Sequence, residues 1–218
     1  MKIILFGATG MVGEGVLMEA LRDGSVDAVL VIGRRPCEVS HPKLTEIIHK
    51  DFYDYAAIAP RLRGYDACLF CLGVSSVGMK EEEYRRLTYD LTMAAARVLV
   101  KESPQMVFCY ISGMGTDSTE RGRTMWARVK GKTENDLKAL GFRDAYAIRP
   151  GFIKPLPGQK RAFMAAKVLG PLYPLLHALM PKYVCTMQDL GRAMLRVSAH
   201  GYERKVVECV DIERIARQ

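Results

Sequence analysis

The chain has 218 residues, room for one domain with a small appendage, and 49% of them are hydrophobic, so a sizeable core can be buried and disorder is excluded. The net charge is +8, but the basic residues are scattered, without a long run or aromatic–basic interleaving. That argues against nucleic acid and leaves a phosphate-rich small molecule as the natural user of some of them. Six cysteines (Cys37, Cys68, Cys71, Cys109, Cys185 and Cys209) sit mostly in apolar surroundings, and the apolar N-terminal run is short and breaks into glycines. We read no secretory leader, and we expect a reduced, cytosolic protein.

The first elements organise the rest. Ile3, Ile4, Leu5 and Phe6 form an apolar run, glycines follow at 7, 10 and 13, and helix formers continue from Met11 to Arg22 with Val12, Val16 and Ala20 spaced for one buried face. This predicts a buried strand, a tight turn and a helix start. The loop Gly7-Ala8-Thr9-Gly10-Met11-Val12-Gly13 leaves backbone N–H groups and the positive end of a helix dipole aimed at one spot, a cradle for the pyrophosphate of a dinucleotide. Gly7 is expected in a backbone conformation closed to side chains, Gly10 to let phosphate approach, and Gly13 to let helix and strand pack closely.

Strands are predicted next at 28–32, 44–48 and 67–72, with a weak helix or turn at 53–62 between the last two. A long helix over 80–102, a strand at 106–111, a helix over 125–140 and a strand at 145–148 follow. The alternation predicts an α/β fold, a doubly wound parallel sheet of Rossmann type covered on both faces. In such sheets ligands bind outside the carboxyl ends of the strands. Residues 1–150 form the nucleotide-binding core. Residues 151–218 are expected to form a helical lid, then a helix at 187–198, a strand at 206–210 and a C-terminal helix, all within one domain. The stretch from Lys160 to Tyr183 is apolar with prolines and glycines, including Leu169, Leu172, Leu175, Leu176 and Leu179, and basic residues at Lys160, Arg161, Lys167 and Lys182. It is too short and too broken for a membrane span. It reads as a lid or subunit contact, with a membrane-docking surface as the alternative.

Cys68 and Cys71 form a CxxC, but inside an apolar strand residues three apart point to opposite faces, so they share neither a metal nor a disulfide. No second CxxC and no HExxH accompany His41, His49, His177 and His200, and no metal site is expected. The second strand bears on the cofactor. An NAD site usually carries an acid about 20 residues past the glycine loop. Here no acid occurs between Val29 and Cys37, and Arg34 and Arg35 stand at that point. Guanidinium groups pair with a 2′-phosphate, which predicts NADP(H).

The glycine loop, Gly33-Arg34-Arg35, Cys71-Leu72-Gly73, Ser112-Gly113-Met114-Gly115-Thr116-Asp117, Val129-Lys130-Gly131 with Glu134, and Arg149-Pro150-Gly151 together resemble an atypical short-chain dehydrogenase/reductase. The similarity is to epimerase-like and NmrA-like relatives, in the subgroup of the Tat-interacting oxidoreductase. It spans nearly the whole chain. The resemblance implies NADP(H) held by Gly7, Thr9, Gly10, Met11, Val12 and Gly13, by Arg34 and Arg35, by Asp51 and Phe52 at the adenine, by Cys71, Leu72 and Gly73 beside the ribose, and by Pro150, Gly151 and Phe152 at the nicotinamide. It gives Ser112 the polarisation of a substrate carbonyl, and Lys130 a ribose contact that lowers the pKa of a neighbouring acid.

One position departs from the pattern. The family's acid is a tyrosine four residues before the lysine, and here that residue is Trp126. An indole N–H donates a hydrogen bond but is far too weak an acid to deliver a proton near pH 7. Three readings stay open: another relay (Ser112, Thr124, Tyr89 or a water held by Lys130), hydride chemistry without this acid, or NADP(H) binding without turnover in a sensor or scaffold. The expected function is an NADP(H)-dependent oxidoreductase on a small carbonyl or related substrate, as a monomer or homodimer.

Overall fold

The computed structural model describes residues 1–161 and 170–218. Lys167 and Leu169 lie outside the described residues. The first strand, β1 (Lys2–Phe6), alternates its side chains between two layers: Ile3 and Leu5 face one core, Ile4 and Phe6 the other. Helix α1 (Met11–Arg22) turns Val16, Leu17 and Ala20 into the first core. Strands β2 (Ala28–Gly33) and β3 (Leu44–Ile48) then extend the sheet on one side of β1.

The chain crosses back, and β4 (Ala67–Phe70) pairs with the other side of β1. The long helix expected at 80–102 is helical but not uniform. It comprises α2 (Glu81–Arg85), a π-turn segment over Arg86–Asp90, and α3 (Leu91–Glu102). The wider turn shifts the register, so α3 presents Met93, Ala96 and Leu99 to the second core while Tyr84 stays buried on α2. The expected turn at 53–62 holds a single 3-10 turn, Ala59–Leu62.

β5 (Val107–Ile111), α4 (Met125–Ala139) and β6 (Asp144–Arg149) complete the alternation. Two short strands not expected from the sequence follow. β7 (Phe152–Lys154) pairs in parallel with β8 (Val184–Thr186), on either side of a short helix, α5 (Tyr173–Leu179). Each is three residues long, too short for a periodicity to be read.

The last elements belong to the sheet layers. α6 (Met187–His200) starts with Thr186 as its N-cap, accepting from the Asp189 N–H at 3.0 Å. It packs on α1 so closely that a Cβ on Gly15 would lie 2.2 Å from Cγ of Met187. β9 (Val206–Glu208) pairs with β6, and α7 (Cys209–Ala216) closes the same face.

All neighbouring strands of the main sheet run parallel, in the order β3-β2-β1-β4-β5-β6-β9. This is the Rossmann-type α/β fold expected from the alternation. The direction of the connections reverses between β1 and β4, so a crevice opens beyond their carboxyl ends. Among the described residues no helix is long and apolar enough to cross a membrane. Leu172, Leu175 and Leu179 are exposed on and beside α5.

Candidate functional site

The crevice begins at the glycine loop. Gly7 has φ +82°, and a Cβ there would lie 2.7 Å from the Cys71 backbone, so the β1 and β4 ends can meet only across a glycine. A Cβ on Gly13 would lie 2.1 Å from the Gly7 carbonyl oxygen, which excludes any side chain between helix and loop. Gly10 is different. A Cβ there would meet only that same oxygen at an ordinary 3.4 Å, so protein packing does not require glycine. Gly10 is exposed, caps α1 without a side-chain bond, and leaves the first N–H groups of the helix facing the crevice. A bare backbone at that point suits a ligand that comes close to it.

Two cavities continue from this loop. The first, about 330 Å³, is lined by Gly7, Ala8, Thr9, Gly33, Arg34, Arg35, Phe52 and Leu72. The second, about 530 Å³, shares Arg34, Phe52 and Leu72 with it and adds Lys50, Asp51, Tyr53, Gly73 and Val74. Together they form one groove across the ends of β1, β2 and β4. Arg34 and Arg35 are exposed on its wall, and among the described residues neither makes an ion pair. Asp51 is exposed and turns the chain by accepting from the Tyr53 N–H at 2.9 Å. Phe52 is buried against Phe6 and Tyr55 and forms the apolar floor. Met11 and Val12, half-buried in the first turn of α1, pack their side chains against the first core.

Cys68 and Cys71 fall on opposite sides of the sheet, and burial pushes both thiols above their ordinary range. All six cysteines are free, and among the described residues no group of His, Cys, Asp or Glu could hold a metal.

Farther along the same sheet edge stand Ser112 and Lys130. Ser112 follows β5 and is buried, its hydroxyl donating to the Ile148 carbonyl at 3.2 Å. To donate elsewhere it must give up that bond. The Lys130 ammonium, half-buried on α4, donates to the carbonyls of Ile111 at 3.2 Å and Ser112 at 2.5 Å and lies over the Tyr110 ring. Desolvation pushes the Lys130 pKa down to about 8, and Glu134 opposes the shift. Trp126 lies one turn before Lys130 on the same side of α4, half-buried, with its ring edge below Gly115.

Of the alternative proton donors, Tyr89 and Thr124 do not gather at Lys130. The Tyr89 hydroxyl donates to Asp136 at 2.5 Å, and Asp136 also pairs with Lys132. Those residues occupy the opposite side of α4 from Lys130. Thr124 is exposed just before α4.

Arg149 and Glu134 hold the frame. Arg149 grips Glu134 with Nε at 2.9 Å and a second nitrogen at 2.6 Å, and also reaches Ser118 and Glu208. This ties β6, α4, the 113–124 loop and β9 into one unit beneath Pro150, Gly151 and Phe152. Pro150 is buried, and Gly151 and Phe152 are half-buried.

Two residues that the sequence did not single out also sit at the glycine loop. The Glu14 carboxylate accepts from the backbone N–H groups of Lys160 and Arg161, and the Gln159 amide donates to the Met11 carbonyl. In the sequence Glu14 reads only as a first-turn acid favoured by the helix dipole, and its partners are remote along the chain.

The sequence pattern of the NAD(P)H-binding family matches residues 7–167. The chain belongs to that family. Within it, the chain is similar to the mitochondrial protein fmp52 of Emericella nidulans, 29% identical over 159 residues that span 70% of this chain and 66% of that protein. It is also 30% identical over 168 residues to the mitochondrial protein fmp52-1 of Aspergillus oryzae, across 74% of this chain and 70% of that one. The aligned stretch thus covers slightly under two thirds of the E. nidulans relative's length.

Among solved structures the fold matches MoeE5 in complex with UDP-glucuronic acid and NAD, with a TM-score of 0.69 at 17% identity over 94% of this chain and 74% of that one. It also matches the Bordetella bronchiseptica enzyme WbmF in complex with NAD+, with a TM-score of 0.66 at 12% identity over 99% of this chain and 77% of that one. At these identities the likeness is one of fold.

One expectation is corrected here. Free thiols led to a cytosolic assignment, whereas the similar fmp52 proteins are named as mitochondrial. Reduced cysteines report a reducing environment, and that alone does not separate one compartment inside the cell from another.

Proposed function

We propose that this NAD(P)H-binding protein is an NADP(H)-dependent oxidoreductase acting on a small carbonyl or related substrate. The observation that carries the cofactor choice is the pair of exposed guanidinium groups of Arg34 and Arg35 on the wall of the groove, without an ion-pair partner among the described residues. A 2′-phosphate offers them oxygens in bidentate geometry, while a bare ribose leaves them without an anion.

In this reading Gly7, Thr9, Gly10, Met11, Val12 and Gly13 hold the pyrophosphate. Asp51 and Phe52 bound the adenine pocket, and Cys71, Leu72 and Gly73 run beside the ribose. Pro150, Gly151 and Phe152 flank the nicotinamide, and Lys130 adds a contact to its ribose. The bound cofactor supplies or accepts hydride. Ser112 rotates its hydroxyl from the Ile148 carbonyl toward the substrate oxygen. Lys130 keeps a cation at that oxygen and, with a pKa near 8, exchanges protons near neutral pH. Like its relatives, the protein is proposed to work in mitochondria.

A second reading, an NADP(H)-binding regulatory or redox-sensing protein without turnover, is favoured by Trp126. Among the described residues, neither Tyr89 nor Tyr110 presents its hydroxyl in place of the missing phenol, since Tyr89 is bound to Asp136 and Tyr110 is buried.

One set of measurements separates the two. NADPH and NADH binding is followed by fluorescence, then turnover is assayed across aldehydes, ketones and quinones. The enzyme reading expects tight NADPH binding, turnover of at least one class, and its loss in Lys130→Ala. Tight binding with no turnover by any class selects the sensor. Replacing Arg34 and Arg35 by alanine should weaken NADPH by about 1.5–3 kcal/mol for each charged hydrogen bond removed and leave NADH nearly unchanged. Equal weakening of both cofactors would show the arginines to be a solvated pair.

A further inference from the structure

The segment that follows β7 returns to the glycine loop and is fastened there at three successive residues. A turn from Leu156 to Gln159, with Gly158 at φ +81°, brings the buried Gln159 amide onto the Met11 carbonyl at 2.5 Å. The next two N–H groups, of Lys160 and Arg161, donate to the two oxygens of Glu14 at 3.0 and 2.7 Å. The Arg161 guanidinium then reaches the Cys37 carbonyl and Glu38, just past the Arg34–Arg35 corner. This strap therefore runs along the first turn of α1 toward the β2–β3 loop.

Glu14 is the unusual member. It is only 8% exposed, in the first turn of the helix whose N-terminus faces the groove. Its carboxylate lines a separate cavity on the flank of α1 with Lys160 and Arg161, and from the first turn its charge opposes the contribution of the helix dipole to an anion at the N-terminus. The two N–H groups of the strap offset part of that charge. With the strap lifted, the carboxylate loses both donors and its field at the helix N-terminus is stronger.

We infer that Glu14 is a positioning residue that couples dinucleotide binding to closure of the 156–161 strap, so that bound cofactor holds the strap down and the closed strap slows cofactor release. The inference rests on the dinucleotide reading of the groove. Reciprocity follows from linkage: whatever closure adds to cofactor affinity, cofactor adds to closure. Gln159 is the second fastening, and it acts through the Met11 carbonyl rather than through charge.

The strap carries its own reporter, because trypsin cleaves after Lys160 and Arg161. Limited proteolysis of the full chain, with cleavage at these two bonds identified by mass spectrometry, is compared with and without NADPH. NADPH release is timed by stopped-flow fluorescence. In the unmodified protein NADPH should slow both cleavages about tenfold; in Glu14→Ala, which removes the fastening and the charge together, that protection should vanish, and in Gln159→Ala, which loosens the strap and keeps the Glu14 charge, NADPH should leave about tenfold faster. Glu14→Gln, which keeps one acceptor oxygen but no charge, should keep only part of that protection. Gln159→Ala should also lose part of the protection, and it carries the test if Glu14→Ala does not fold.

Cleavage rates unaffected by NADPH in the unmodified protein would overturn the coupling. So would an unchanged release rate in a folded Gln159→Ala variant. A variant cut faster to the same extent with and without NADPH would reduce Glu14 to a structural fastening and overturn it as well. If neither NADPH nor NADH changes fluorescence with the unmodified protein, the dinucleotide reading itself fails, and the inference falls with it.

Discussion

Lys130 is a cation held where water is scarce, bound to two backbone carbonyls and lying over an aromatic ring. Its pKa falls to about 8, first through desolvation, against about 10.4 for a free lysine. Below about pH 8 the folded protein therefore carries the cost of a desolvated charge, and above the unfolded value neither state is charged. The unfolded chain binds more protons between those limits, so stability rises with pH across them. The expected outcome is that wild type gains stability relative to Lys130→Met as pH goes from about 8 to about 10.5. Urea denaturation of both proteins at several pH values measures it, and parallel curves would remove the desolvated charge from the account. At the same scale, the composition around Arg34 and Arg35 was legible because the absence of an acid is a property of the sequence. The orientation of the Ser112 hydroxyl was not, because Ile148 reaches it only when β5 and β6 pair in register.

The elements that carry the site are locked by one buried ion pair. Arg149 ends β6, Glu134 lies on α4, and their side chains are 10% and 0% exposed. Removing one partner of such a pair leaves the other charge buried, which costs about 3–5 kcal/mol. Arg149→Met should lose about that much in urea denaturation and loosen the loop over 113–124 through Ser118, whereas a loss below about 1 kcal/mol would mean that Glu134 finds water or another partner. The motif Arg149-Pro150-Gly151 is visible in the sequence as part of a resemblance, but its mechanical role is not. That role depends on a carboxylate fifteen residues away meeting the guanidinium with both oxygens. The π-turn segment at Arg86–Asp90 was missed for a related reason: a uniformly helix-forming stretch does not announce where the turn widens.

For the whole molecule, the groove couples ligand binding to stability. A ligand present at a hundred times its dissociation constant adds about 2.7 kcal/mol, and for a domain of this size each kcal/mol raises Tm by roughly 2–4 °C. Saturating NADPH should therefore raise Tm by roughly 5–10 °C, and NADH at equal concentration should raise it less. Differential scanning fluorimetry reads this directly, and no shift with either dinucleotide would remove the cofactor from the proposed function.

The alternation of strand and helix patterns determined the parallel sheet, because hydrophobic period is local and each element carries its own. The glycine spacing likewise pointed to the dinucleotide that the NAD(P)H-binding family holds, because backbone freedom is a property of short stretches; the missing acid carries the proposal of a 2′-phosphate. Tertiary structure decided what depends on distant parts of the chain meeting. It placed α6 and β9 in the sheet layers, tied Tyr89 to Asp136, and brought Gln159, Lys160 and Arg161 back onto the first turn of α1. These contacts join residues that no local pattern relates, and they form only once the sheet has fixed the positions of the strand ends.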